Sequence, residues 1–213
     1  MALLQIYRNP ADTDGSLNRA IIAAALLLAT EGIELEPGNW NGKAASGAIA
    51  LMPTNRTISG SLAFPGSAPI TKLKLVGSDG AGGYGIACAA SGQCTGIKIK
   101  NLEIDGGRVS GSATNATWGA GACISLSGQN DYPTGQNRHG VELTNLVLYD
   151  GLYQQVSTNS VNGFTWSGVN ANAFANPLAI AHGCDFDAVA YDKPSANGLI
   201  QYCTLNAYGQ ESV

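Results

Sequence analysis

Two six-residue stretches decide the predicted fold: Ile99-Lys100-Asn101-Leu102-Glu103-Ile104 and Leu143-Thr144-Asn145-Leu146-Val147-Leu148. In both, the residue types follow the order apolar, any residue, turn-tolerant residue, apolar, any residue, apolar. The same form recurs less regularly at 166–171, 181–186 and 200–205. Each stretch holds two short alternating runs whose phase breaks at the third position, as happens when a strand bends sharply and begins a new sheet. Asn and Gly suit the left-handed backbone that such a bend often needs.

The spacing of the five stretches predicts a repeating fold. Their first residues lie 44, 23, 15 and 19 positions apart, and we interpret the first interval as two repeats of about 22 residues. Short strands that repeat at this period indicate a β-solenoid. We therefore predict an all-β chain whose residues 33–213 form a parallel β-helix of about eight coils. One internal column is expected to contain Leu102, Leu146, Val169, Cys184 and Cys203.

The first 32 residues are predicted to form an N-terminal arm and an apolar capping helix. The helix is expected at 14–31, capped by Thr13 or Asp14 and ended by Gly32. One face is expected to close the end of the β-core through Leu17, Ala20, Ile21, Ala24 and Leu28. The other face is apolar as well, which favours an oligomer that buries both faces. Its interface candidates are Ile22, Leu26 and Leu27.

Composition argues against several functional classes. The chain has 213 residues, of which 45% are hydrophobic, 12% are charged and 28 are glycine, as expected of short strands and tight turns. Its lysines and arginines are scattered and its net charge is −4, so nucleic-acid binding lacks electrostatic support. The longest apolar run, 20–29, is too short to span a membrane and does not fit a signal peptide. We expect a soluble protein made in the cytoplasm.

The chain resembles the pectin-lyase-like superfamily of right-handed β-helices. The resemblance rests on Asp12-Thr13 with the alanine-rich run 20–29, on the strand and turn at 33–40, and on Asn at the bends, as at Asn101 and Asn145. It implies a single-stranded, right-handed parallel β-helix closed by an N-terminal helix. The superfamily contains pectate lyases, polygalacturonases, phage tailspikes and non-catalytic virion proteins, so the site has to be argued separately.

Catalytic motifs of these enzymes are missing from the sequence. There is no Asn-Thr-Asp, Asp-Asp, Gly-His-Gly or Arg-Ile-Lys motif, and no aspartate cluster with an adjoining arginine that would indicate a pectate lyase. If the protein is an enzyme, Asp185 and Asp187 are the candidate acids, since glycosidases use two carboxyl groups about 5–10 Å apart. The alternative interpretation of this pair is a solvated outer face. His139 and His182 are interpreted as turn residues.

The cysteines and the aromatic residues bear on metal binding and on ligand binding. The five cysteines contain no C-x-x-C pair, which predicts neither a zinc site nor a disulfide framework, and we expect no metal and no cofactor. Several aromatic residues fall in predicted bends and loops, where they can stack on sugar rings or anchor a protein interface. The chosen glycan-stacking candidates are Trp118, Tyr153 and Tyr191.

These observations favour a non-catalytic structural protein of a virus particle, a capsid decoration (cement) protein or a tail component. We expect a homotrimer that binds other virion proteins, such as the major capsid protein, and that is located in the virion after synthesis in the host cytoplasm. Two alternatives stay open. One is a polysaccharide lyase or glycoside hydrolase with a groove on the β-helix, and the other is a carbohydrate-binding adhesin module that contacts surface polysaccharide.

Overall fold

The computed structural model describes residues 2–43, 47–76, 83–88, 94–107, 122–127, 139–151, 154–159, 161–172, 182–185 and 196–206. Over these residues the chain is mainly β-structure with a single helix near its N-terminus. The elements in chain order are β1 (Leu4–Ile6), α1 (Ser16–Leu28), β2 (Gly32–Leu35), β3 (Gly38–Lys43), β4 (Ala48–Met52), β5 (Thr57–Ser59), β6 (Thr71–Val76), β7 (Tyr84–Cys88), β8 (Lys98–Asp105), β9 (Ala122–Ser127), β10 (Val141–Tyr149), β11 (Gln154–Asn159), β12 (Asn162–Asn172), β13 (His182–Asp185), β14 (Ala196–Gln201) and β15 (Thr204–Asn206).

These strands pair in parallel within two sheets. The first sheet has the order β1-β2-β5-β8-β10-β12-β14, with β3 joined through β6 to β8 and with β15 joined to β12. The second has the order β4-β7-β9-β11-β13. Strands inside these orders therefore pair with one counterpart earlier in the chain and another later in it. We call one passage through both sheets a circuit. The described strands make five circuits and begin a sixth.

The first sheet bends along one line of residues with left-handed backbone. Their φ angles are 55° at Asn101, 51° at Asn145, 66° at Gly168 and 56° at Tyr202. The bend predicted from the phase break is therefore confirmed at these four positions. The amide Nδ2 of Asn145 donates to Oδ1 of Asn101 at 3.1 Å, so neighbouring circuits are joined along the bend. We call these two stacked side chains the asparagine ladder.

Buried side chains stack in register inside the sheets. Leu102, Leu146 and Val169 pair in register and are fully buried, as predicted for the internal column. Cys203 directly precedes Thr204, which pairs with Asn170, and it packs partly buried against the core. Residues on the other side of the bend form a longer column of the same kind, which contains Ile33, Ile58, Ile99, Leu143 and Trp166.

Two details of the predicted repeat are wrong. Cys184 does not join the column, because β13 lies in the second sheet, where Cys184 pairs with Val156. The interval from Ile99 to Leu143 is not two coils, because these residues are direct partners in adjacent strands. Between these two residues the chain passes through the second sheet at β9, so the interval is one circuit, and the described strands form fewer circuits than the eight coils predicted.

The helix begins and ends inside the predicted range. Its first amides are bound by Asp12, whose carboxylate accepts hydrogen bonds from the N–H groups of Gly15 (3.1 Å) and Asn18 (2.6 Å). Asp14, one of the two predicted caps, accepts from the backbone N–H of Ser16, the first residue of α1, at 3.1 Å, so Asp12 and Asp14 share the capping. Gly32 is not a helix-ending residue but the first residue of β2, where an added Cβ would lie 2.0 Å from the carbonyl oxygen of Thr57 in the next circuit.

The face of α1 that covers the core differs from the predicted face. Asn18, Ile22, Ala25 and Leu26 are buried against the start of the stack, where the helix contacts β3 and β4. Leu17 and Leu28, predicted to cover the core, are instead 54% and 79% exposed. A helix that is apolar all round carries no periodic signal to indicate which face is buried, so the prediction had no means to choose.

Candidate functional site

The structure separates the predicted interface residues. Ile22 and Leu26 are 0% and 1% exposed and belong to the core of this chain, so they are not surface contacts. Leu27 is 81% exposed. Asp185 is the last residue of β13 and pairs with Ser157 of β11. The remaining predicted site residues lie outside the described residues: Trp118, Tyr153, Asp187 and Tyr191.

The exposed face of α1 forms a continuous apolar stripe. Its members recur every three or four residues, so they lie on one side of the helix. We call this stripe the helix surface, and it consists of Leu17, Ala20, Ala24, Leu27 and Leu28. A groove of about 250 Å³ adjoins it, where Leu27 faces Leu51 and Pro53 of the first circuit. Exposed apolar areas of this kind are typical of interaction surfaces.

A second candidate is a group of polar side chains on the outer surface of the first sheet. We call it the lysine cluster, and it consists of Lys72, Glu103, Asp105 and Tyr149. The ammonium group of Lys72 lies 3.4 Å from the carboxylate of Glu103 and 3.2 Å from that of Asp105. It also donates to the hydroxyl of Tyr149, which in turn donates to Glu103. The four side chains come from β6, β8 and β10, so they join three consecutive circuits.

The electrostatics of the lysine cluster oppose a role in proton transfer. Burial alone would lower the pKa of Lys72, but its hydrogen bonds to Tyr149 and Asp105 outweigh burial and raise that pKa above its ordinary value. Burial and the hydrogen bond to Glu103 raise the pKa of Tyr149 to about 12. An efficient general acid or base has a pKa near the working pH. We infer that the cluster ties circuits together instead of moving protons.

A smaller ion-pair group lies nearer the start of β8 and β10. Glu142 accepts from Lys98 at 2.8 Å and from Lys100 at 3.3 Å. Burial alone would raise the pKa of Glu142, but the bonds from the two lysines outweigh it and hold the pKa below its usual value. The two lysines also line an open groove of about 500 Å³, together with Thr57 and Ser59. The surface of this sheet is therefore polar and charged over its first circuits.

His139 and Cys123 have structural roles. His139 is buried, and its Nδ1 accepts a hydrogen bond from the backbone N–H of Asn162 at 2.6 Å. Cys123 is buried beside Gln155, whose Oε1 lies 3.3 Å from its sulfur. Burial raises the pKa of the Cys123 thiol, which leaves little of the reactive thiolate. Cys123 and Cys203 are free thiols.

The residues that the structure describes contain neither a metal site nor a membrane-spanning helix. No group of three or more His, Cys, Asp or Glu side chains is arranged to hold a metal ion there. Within the same residues, the helix is neither long nor apolar enough to cross a membrane. Comparisons with protein-family models, with curated proteins and with solved structures find no match for this chain. Its function has to be argued from its own residues.

Sequence reasoning missed the lysine cluster because its members are far apart in the chain. Lys72 and Glu103 pair in register, but that register follows from the geometry of β6 and β8 and not from a local pattern. A signal did exist in the alternation of Glu103, Ile104 and Asp105, which puts two acids on one side of a strand. Pairing that signal with Lys72 required a correct alignment of the circuits.

Proposed function

We propose that the stacked circuits form a right-handed parallel β-helix of the pectin-lyase-like kind, and that the protein is a non-catalytic structural component of a virus particle. In this role it is a capsid decoration or tail protein that assembles as a homotrimer and binds other virion proteins. The observation that carries the proposal is the helix surface, because the structure leaves its leucines in contact with solvent.

Association through the helix surface is favourable on physical grounds. Leu17, Leu27 and Leu28 are 54%, 81% and 79% exposed, and burying one such side chain fully contributes about 1.5–3 kcal/mol. The helix carries one charged residue, Arg19, which is half-buried, so copies of α1 can approach one another with little charge repulsion. A three-fold arrangement closes on itself and buries all copies of the surface equally.

Light scattering on the purified protein tests the assembly. We expect three chains per particle for the native protein and dissociation for Leu27→Glu, because a carboxylate at this position would be buried without a partner. Phe64→Glu is the matched control, since Phe64 is 66% exposed in the turn between β5 and β6, away from α1. A native protein that is monomeric, or a control that dissociates equally, contradicts the proposal.

The location in a virus particle needs a separate experiment. A density map of the whole particle should contain three-fold density that accepts this chain, with α1 of each copy at the centre of the contact. Density that fits the chain as a single copy, with the helix surface in solvent, contradicts the trimer. A particle that lacks the chain contradicts the location.

The competing proposal is a polysaccharide lyase or glycoside hydrolase that uses Asp185 and Asp187. It predicts release of unsaturated or reducing sugars from a polysaccharide panel, with loss of that release in Asp185→Asn. Our proposal predicts no release by either protein. Activity that survives in Asp185→Asn would indicate an enzyme with a different site.

A further inference from the structure

The two flanks of α1 carry unlike surfaces. One flank borders the groove of about 250 Å³ that Leu27 lines together with Leu51 and Pro53, which we call the leucine groove. On the other flank, Leu28 and Glu31 line a separate open groove, and we call these two residues the helix end. Successive side chains on a helix point about 100° apart, so Leu27 and Leu28 face different directions. Each copy of the chain therefore offers two different surfaces for contact.

The leucine groove is apolar apart from one arginine. Arg19 lines the groove and is half-buried, and its Nη2 would lie 3.4 Å from a Cβ added at Gly47, directly before β4. Every other residue that lines the groove is apolar, including Ala23, Ile49 and Leu51. Among the described residues, no carboxylate forms an ion pair with Arg19. The groove thus combines apolar contact with one uncompensated positive charge.

The helix end carries the opposite charge. Leu28 is the last residue of α1 and is 79% exposed, and Glu31 is exposed three positions later. Within the described part of the chain, no cation forms an ion pair with Glu31. The helix end therefore offers one leucine for burial and one uncompensated negative charge, which are the counterparts of what the leucine groove provides.

We propose that Leu28 of each copy enters the leucine groove of the next copy, where Glu31 pairs with Arg19. This contact presupposes the trimer proposed above and specifies which surfaces meet in it. The pair cannot form within one chain, because Arg19 and Leu28 alone are separated by about 14 Å along the helix axis. A contact between unlike surfaces uses each surface once per copy, as a closed ring of three requires.

An occupant without an acid matches the leucine groove less well. Covering the groove removes water from Arg19, and a desolvated charge without a partner costs free energy. Opposite charges across a contact also fix its register and exclude wrong arrangements. A second copy of the chain supplies the leucine and the acid together, three positions apart.

Sedimentation equilibrium of charge-reversed variants tests the contact. Arg19→Glu and Glu31→Arg each place like charges across it, so each should raise the concentration at which the trimer half-dissociates about tenfold or more. The double variant restores opposite charges and should return this concentration to within about threefold of the native value. Lys74→Glu and Glu34→Arg are the matched controls and should leave the trimer unchanged. Each makes the same change of charge at a described residue that is in no ion pair and lines neither surface.

An equimolar mixture of the two single variants distinguishes a ring of three from a reciprocal pair. A matched contact in the mixture needs one copy of each variant. A ring of three therefore contains at least one mismatched contact, whereas a reciprocal pair contains none. We expect the mixture to recover the trimer only in part, and full recovery as a dimer overturns the proposal.

The remaining outcomes separate this contact from the trimer itself. A native trimer that tolerates both charge reversals overturns the contact and leaves the trimer standing, whereas a native monomer contradicts both. Glu31→Gln keeps the size of an exposed side chain and should weaken the trimer about threefold. Unchanged assembly of Glu31→Gln, or a double variant that stays dissociated, overturns the pairing of Glu31 with Arg19.

Discussion

Substitutions at Gly168 test the bend that organises the first sheet. Gly168 has φ of 66°, and an added Cβ would lie 3.6 Å from N and Cα of Asn145, which is an ordinary van der Waals contact. A side chain therefore fits in the space available. What an alanine or an asparagine changes is the free energy of the left-handed backbone and the bonds that the new side chain makes.

The two substitutions should act in opposite directions. Alanine in the left-handed region costs about 1–2 kcal/mol, partly offset by about 0.4–1 kcal/mol from the stiffer unfolded chain, so Gly168→Ala should lose about 1 kcal/mol. Asparagine adopts this backbone readily and brings an amide beside Asn145, where a third rung of the asparagine ladder adds about 0.5–1.5 kcal/mol. Gly168→Asn should therefore gain about 1 kcal/mol.

Urea unfolding followed by tryptophan fluorescence measures the difference, since Trp40 and Trp166 are both fully buried. Gly140 supplies the control, because its φ is 63° and an added Cβ would meet nothing within 4 Å. Gly140→Ala should lower the free energy of unfolding by as much as Gly168→Ala does. Gly140→Asn should not be stabilising, because its side chain adds no rung to the asparagine ladder. Equal stabilities of Gly168→Ala and Gly168→Asn would refute a left-handed bend at this position.

Three further predictions concern the core and the lysine cluster. Lys72→Ala should lower the free energy of unfolding by about 1–3 kcal/mol, because it leaves the carboxylates of Glu103 and Asp105 without their shared cation. The control is Lys74→Ala, at an exposed position of β6, which should change the free energy of unfolding by less than about 0.5 kcal/mol; urea titrations measure both. The pKa of Tyr149 is about 12 in the folded chain and about 10 in the unfolded chain. Its contribution to the free energy of unfolding is therefore present below pH 10 and is lost as the pH rises towards 12. The free energy of unfolding measured over this range should fall less steeply in Tyr149→Phe than in the native protein. Leu146→Ala should lower the free energy of unfolding by about 2–5 kcal/mol, whereas Val147→Ala, on the outer surface of β10, should lower it by less than about 1 kcal/mol. Similar losses in the two variants would contradict the assigned register.

The bends could be predicted because their cause is local. In β8 and β10 the apolar alternation changes phase at Asn101 and Asn145, and a strand can follow that change only by turning its backbone. The asparagine is itself the residue that tolerates the turn. Both facts are present within six residues, so the structure and the sequence agree on position and on backbone conformation.

The number of circuits and the place of Cys184 could not be predicted in the same way. A six-residue pattern around Gly183 does not state which sheet its strand joins, and the structure assigns β13 to the second sheet. The length of a circuit also varies, since Ile99 and Leu143 are neighbours at 44 residues while Leu143 and Trp166 are neighbours at 23. A longer interval between paired strands costs little free energy, because loop-closure entropy grows slowly with length.

The candidate sites depended on geometry that the sequence hides. Ile22 and Leu27 looked equivalent on an all-apolar helix, yet the core covers the first and leaves the second in solvent. In the sequence, Tyr202 is an ordinary member of the repeat. Only the structure shows that it has the same left-handed backbone as Asn145. Both distinctions come from packing between circuits, which no single segment contains.

The pairing of distant strands also governs how this chain acquires its structure. Each strand joins a partner at least 23 residues away, so no hydrogen bond between strands forms until a complete circuit of polypeptide has been produced. Closing that first circuit is opposed by chain entropy, whereas every later circuit is added to an existing template. Folding should therefore start slowly and then continue rapidly from the helical end, in the order in which a ribosome delivers the chain.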